Sequence, residues 1–161
     1  MALTTRREAV GLQLFADVLQ LSGNAQIRVT GSSMLPSVRP GDILLVQREC
    51  MNGLAPGDIA VFTRDERLFA HRVVRRGAGA IPYLVTCGDA LPEQDQPVHS
   101  DELLGRVASI IRGARRIDPS ATFLDRTGSV LLRHSVFFTK CVLWLFGRAR
   151  SFRELSECLT Q

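Results

Sequence analysis

Lysine is almost missing from this chain: 19 of its 20 basic residues are arginine, and the only lysine is Lys140. Aromatic residues make up 6%, with one Trp and one Tyr, too few for a platform that stacks the bases of single-stranded nucleic acid. The four cysteines, Cys50, Cys87, Cys141 and Cys158, include no C-x-x-C pair, and Cys87 with His99 lacks the second half of a zinc ligand set. No metal or other cofactor is implied, and free thiols in a reducing compartment are the plain reading. No stretch reaches 18 apolar residues without a charge. The first 21 residues lack the uninterrupted apolar run and small-residue cleavage site of a secretory signal.

What remains is ordinary globular material. The chain has 161 residues, enough for one modest core, with 45% hydrophobic and 22% charged residues. These values exclude a disordered tail, a collagenous chain and a disulfide miniprotein. The formal net charge of +4 is unevenly spread. Over residues 1–111, 11 Arg face 12 acids, whereas over 112–153 nine basic residues face only Asp118 and Asp125. The excess basicity is a C-terminal feature. It is diluted there by Val136-Phe137-Phe138 and Val142–Phe146, so a nucleic-acid partner is not expected.

Three regions differ in texture. Over Arg6–Leu21, Leu14, Val18 and Leu21 recur at helical spacing with Phe15 and Leu19 beside them, which predicts an amphipathic helix ended by Gly23-Asn24. From residue 25 the pattern becomes short β-rich runs: Gln26–Thr30, Asp42–Gln47, Asp58–Thr63, Leu68–Arg75, Tyr83–Thr86 and Leu104–Ile111. Gly and Pro turns separate them, and Pro-Gly-Asp-Ile occurs twice, at Pro40–Ile43 and Pro56–Ile59. Residues Leu91–Asp101 are polar, with Pro92 and Pro97, a loop long enough to carry function. Past Gly113, residues Ser129–Phe146 are the most apolar segment, interrupted by Arg133, His134 and Lys140. At about 100° per residue Arg133 and Lys140 fall within roughly 20° of each other, so a basic amphipathic helix is expected there. Such a helix lies on a body or in a membrane interface and does not span a bilayer. The expected organisation is a helix at 1–24, a β-rich domain at 25–113 and a basic, apolar extension at 114–161.

Three polar segments can carry chemistry. In Gly31-Ser32-Ser33-Met34-Leu35-Pro36 a serine on a tight turn can present its hydroxyl, while its own N–H faces a developing oxyanion. Ala70-His71-Arg72-Val73 holds a histidine inside a β-rich run. Thr86-Cys87-Gly88-Asp89 is followed six residues later by Asp95. Taken singly, these read as a loop, a structural histidine and solvent-facing aspartates.

Their order says more. Ser33-Met34-Leu35-Pro36, Gly41-Asp42-Ile43, Gly57-Asp58-Ile59-Ala60-Val61-Phe62, His71-Arg72-Val73, Gly88-Asp89 and Gly105-Arg106-Val107 resemble, in sequence, the boxes of signal peptidase I-like serine peptidases. The closer resemblance is to the archaeal and endoplasmic-reticulum-type branch, and it covers about residues 26–111. It implies a mainly β catalytic domain of antiparallel sheets, as in the related self-cleaving repressors. It also implies Ser33 as nucleophile and His71 as general base, at the position where the bacterial branch keeps a lysine. Lys140 lies outside the matching region. Histidine suits the task, because its unperturbed pKa near 6.5 lets it take and return a proton near neutral pH. For the residue that orients the base the resemblance points to Asp95, with Asp89 as the alternative. Ser32 and Met34 are candidates for oxyanion or substrate contacts.

The expected function is therefore a serine endopeptidase that cleaves an extended peptide, a preprotein or a leader segment after small residues. The alternative is a non-catalytic peptide-binding module on the same fold. Members of this group usually carry a spanning helix just before the serine box, and residues 1–25 are too short and too charged for one. That predicts a location in the cytoplasm or at the membrane periphery, with contact through residues 129–150.

Overall fold

The computed structural model describes residues 2–78 and 81–120. The expected helix at 129–146, the proposed membrane contact at 129–150 and Lys140 lie outside the described residues. Helix α1 spans Ala2–Ser22. Among the described residues seven strands follow: β1 Asn24–Arg28, β2 Ile43–Arg48, β3 Ile59–Arg64, β4 Arg67–Gly77, β5 Tyr83–Cys87, β6 Leu103–Arg112 and β7 Arg115–Ile117. The fold is mainly antiparallel β with one N-terminal helix. Rather than several sheets, all seven strands form one, in the order β1-β2-β6-β3-β4-β5 with β7 also beside β6.

The helix stops where expected, with the Gly23 N–H donating to the Leu19 carbonyl at 3.0 Å. Only part of its apolar face is buried. Phe15 and Leu19 enter the core, at 8% and 2% exposure, whereas Val10, Leu14, Val18 and Leu21 stand out at 62%, 62%, 41% and 89%. The 4/3 spacing located the helix, but two adjacent apolar stripes competed, and only docking on the sheet chose between them.

Strand β3 explains how one sheet supports two cores. Its run Ile59-Ala60-Val61-Phe62 is buried on both faces. Side chains alternate along a strand, so Ile59 and Val61 join Phe15, Leu19, Met34, Val38, Leu44, Val46, Val107 and Ile110. Ala60 and Phe62 instead join Met51, Leu54, Val73, Leu84 and Val98. A continuous apolar run is what a strand covered on both sides requires.

The two Pro-Gly-Asp-Ile copies are the same turn built twice. Gly41 and Gly57 have φ of 95° and 103°, where a side chain would be strained. The following Asp side chain accepts the N–H three residues back, Arg39 for Asp42 and Ala55 for Asp58, both at 2.8 Å. Each glycine N–H and Asp carbonyl then grips one residue, Val29 in the first copy and Val73 in the second. The turns thereby fix β2 against the segment leading to Ser33, and β3 against the strand that carries His71.

Two features went unread in the sequence. The β3–β4 hairpin turns through Asp65 and Glu66, both at positive φ (51° and 58°). This is the backbone of a two-residue primed turn without its usual Asn-Gly signal. Strand β7 extends the β region beyond the boundary expected at 113, with Arg115 pairing back onto Arg112. Among the described residues no helix is long and apolar enough to cross a membrane.

Candidate active site

Ser33 sits in the connection between β1 and β2. Met34, Leu35 and Val38 are buried at 4%, 0% and 1% and pull the turn inward, leaving Ser32 and Ser33 half-buried at its surface. Behind the turn the Arg112 guanidinium bonds to the Ser37 carbonyl at 2.9 Å and to Asp42 at 2.8 Å. Met34, a candidate for substrate contact, is thus a core residue, packed in the cluster that holds Leu44 and Val61. The expectation for Ser32 rests on proximity alone: it adjoins Ser33, and its carbonyl accepts the Leu35 N–H at 3.2 Å.

The serine turn is also held from the far side of the sheet. The Ala90 N–H donates to the Ser33 carbonyl at 2.9 Å. A side chain on Gly88 would meet that carbonyl at 2.6 Å, so glycine is required by close approach. The Gly-Asp box therefore braces the backbone of Ser33.

His71 lies on β4, 3% exposed. Phe62 and Phe69 flank its ring edge-on, with centroids 6.1 and 5.8 Å away. Its two nitrogens meet two different groups: Nε2 is 2.9 Å from Ser33 Oγ, and Nδ1 is 2.7 Å from Asp95 Oδ2. A carboxylate only accepts, so Nδ1 carries the proton and Nε2 is left to accept from the serine hydroxyl. The ring is held in the tautomer that a general base needs.

Asp95 Oδ2 also accepts from the Thr86 hydroxyl at 2.7 Å. Burial works against its charge, but hydrogen bonds from His71 and Thr86, with the positive fields of His71 and Arg64, outweigh it. The carboxyl is held below its ordinary range. Arg64 fastens the chain just beyond, donating to the Gln96 and Pro97 carbonyls at 3.3 and 2.9 Å and pairing with Glu102 at 2.7 Å.

The structure brings Ser33, His71 and Asp95 into one chain of contacts and leaves Asp89 out of it. Asp89 is 4% exposed and takes the Arg72 guanidinium in a two-pronged pair, at 2.8 and 2.7 Å. Arg72 also donates to the Gly57 carbonyl at 2.7 Å. His71 and Arg72 are neighbours on one strand and point to opposite faces, one toward the serine and the other toward Asp89. Thr86 and Arg64 escaped the sequence reading. The available signal for Thr86 was a polar residue inside the apolar run Leu84-Val85-Thr86-Cys87. Arg64, 38 residues from Glu102, left none. A cleft of about 790 Å³ opens beside Asn24, Gln47, Cys50 and Leu103. It shares no residue with the Ser33–His71–Asp95 chain and has no part in it.

A family model described as Peptidase S24-like matches residues 9–108, a span that contains Ser33, His71 and Asp95. No curated protein matches the chain.

Proposed function

The chain belongs to the Peptidase S24-like family, and on that premise we propose that it is an active serine endopeptidase of the signal-peptidase type with a Ser33–His71–Asp95 triad. The observation that carries this reading is the unbroken contact from Ser33 Oγ through both ring nitrogens of His71 to Asp95, at 2.9 and 2.7 Å.

The chemistry follows from those contacts. Ser33 Oγ attacks the scissile carbonyl as His71 Nε2 takes its proton. The imidazolium so formed donates through Nδ1–H to Asp95, which stays ionised and supports it. The Ser33 N–H supplies part of the oxyanion site. His71 then returns the proton to the departing amine, and a water deprotonated by the same ring releases the acyl group from Ser33.

The sheet offers a place for an extended substrate. Strand β4 pairs with β3 through Arg67–Arg72, but β5 joins its other edge only from Arg72 onward. The stretch Arg67–Ala70 therefore has one edge unpaired by β5, and it leads directly to His71. A peptide added there as a strand would be held by backbone hydrogen bonds, a mode suited to linear segments. By the family resemblance the preferred residues near the cut are small, which suits trimming of a leader or preprotein.

The test is a panel of leader-like peptides with small residues at candidate cut sites, read by mass spectrometry for wild type and Ser33→Ala. Cleavage that disappears in Ser33→Ala supports the reading. Cleavage that survives in Ser33→Ala overturns it, and peptide binding without any cleavage would favour a non-catalytic module.

A further inference from the structure

Thr86 is fully buried, at 0% exposure, in a strand whose neighbours Leu84, Val85 and Cys87 are also buried. A buried hydroxyl in such a run costs free energy unless it is hydrogen-bonded, and valine would fill the space without that cost. The hydroxyl has one specific use here. It donates to Asp95 Oδ2 at 2.7 Å, the same oxygen that meets His71 Nδ1 at 2.7 Å. The backbone completes the grip, since the Asp95 N–H donates to the Thr86 carbonyl at 2.8 Å.

Asp95 needs such a hold. Its side chain is 21% exposed, so a rotation that trades His71 for water is open to it. Arg64 binds the chain at Gln96 and Pro97, which fixes the loop and leaves the carboxylate's own torsion unset. Among the described residues, Thr86 is the one whose side chain bonds to the Asp95 carboxylate without taking part in the proposed proton transfer.

We propose that Thr86 is a positioning residue: its hydroxyl sets the Asp95 carboxylate so that Oδ2 faces His71 Nδ1 rather than solvent. This rests on the Ser–His–Asp reading for its kinetic consequence, but not for its structural one. The pinned carboxylate keeps the proton on Nδ1 and leaves Nε2 bare for Ser33. Losing the hydroxyl frees the carboxylate to sample solvent, and the ring loses its fixed partner.

Three variants and two readouts test this. Thr86→Val keeps the shape and removes the donor, Thr86→Ser keeps the donor, and Thr86→Cys supplies a weaker one in the same space. The first readout is the low-field proton NMR signal of His71 Nδ1–H, which needs no substrate. It is expected to be preserved in Thr86→Ser, and broadened or moved upfield in Thr86→Val and, to a smaller degree, in Thr86→Cys. The second is kcat for the cleaved peptide, expected to fall roughly ten- to a hundred-fold in Thr86→Val with KM little changed, the range a hydrogen bond to a charged group carries. In an Asp95→Asn background Thr86→Val should add no further loss, because Thr86 acts through Asp95. An unchanged proton signal in Thr86→Val, or an equal loss of rate in both backgrounds, overturns the proposal. If Thr86→Val does not fold, the Ser and Cys pair decides: identical signals in both would overturn it. Should wild type cleave nothing, the peptidase reading fails, while the proton signal still decides the role of Thr86.

Discussion

Asp89 and Asp95 stand six residues apart in one loop, and each is fixed by short hydrogen bonds, yet they serve different parts of the molecule. Asp89 is 4% exposed and shares both oxygens with Arg72. Asp95 is more open, and a single oxygen meets His71 and Thr86. The difference lies in what each carboxylate faces. A permanent cation makes a static pair that ties β4 to the loop. An imidazole makes a pair whose proton content can change during a reaction. Two acids of one loop can thus divide by surroundings alone, one becoming a cation's partner and the other an imidazole's.

The sharpest way to break that division is to neutralise each acid. Asp95→Asn should reduce kcat by about 10⁴-fold, as loss of the orienting carboxylate does in other triads, with a far smaller effect on urea stability. A variant with near-normal turnover would remove Asp95 from the site. His71→Ala should cost on the order of 10³-fold or more in rate, whereas Lys140→Met should remain active. Loss of activity on mutating Lys140 would replace the histidine base with a lysine one.

Asp89→Ala should act on the fold. It leaves the Arg72 guanidinium, 12% exposed, without its carboxylate partner, which for a buried pair costs roughly 3–5 kcal/mol. Urea denaturation would report this, and an unchanged midpoint would mean that the pair contributes nothing. The residual activity of the folded fraction should far exceed that of Asp95→Asn. Ser32→Ala, beside the nucleophile, should cost less than about ten-fold in kcat/KM, because its hydroxyl has no place in the proton path. A loss comparable to Ser33→Ala would move the nucleophile.

The smallest effect is in the acid range. Arg64 holds the Glu102 carboxyl below its ordinary range, as the partners of Asp95 do for that residue. In this range the unfolded chain binds more protons than the folded one, so stability rises with pH. What the two carboxylates contribute is therefore present above the ordinary carboxylate range and is lost as pH falls through it toward the depressed values. Urea midpoints measured during acidification should fall less steeply for Asp95→Asn than for wild type. Parallel curves would mean that Asp95 carries no such linkage.

Much of this arrangement was legible one residue at a time. Short apolar runs between Gly and Pro turns marked six of the seven strands, because pleat alternation and turn conformation are local properties. The repeated Pro-Gly-Asp-Ile marked two equivalent turns for the same reason. The serine and histidine boxes stood out because a serine on a tight turn and a histidine in a strand are specific residue types in a recurring order. Strand β7 and the Asp65-Glu66 turn did not stand out, the first for its three-residue length and the second because its residues are ordinary ones in an unusual conformation.

What the sequence by itself determined is the β-rich character, the position of the helix and the short list of polar candidates. Only the tertiary structure decided which stripe of α1 is buried, that Met34 belongs to the core, and that Asp95 rather than Asp89 reaches His71. Those outcomes depend on partners far away in the chain: His71 lies 38 residues from Ser33 and 24 from Asp95. Local periodicity says which way a side chain leaves its own strand or turn. It cannot say what will be opposite, because that is set by how the strands on either side of each loop pair and pack.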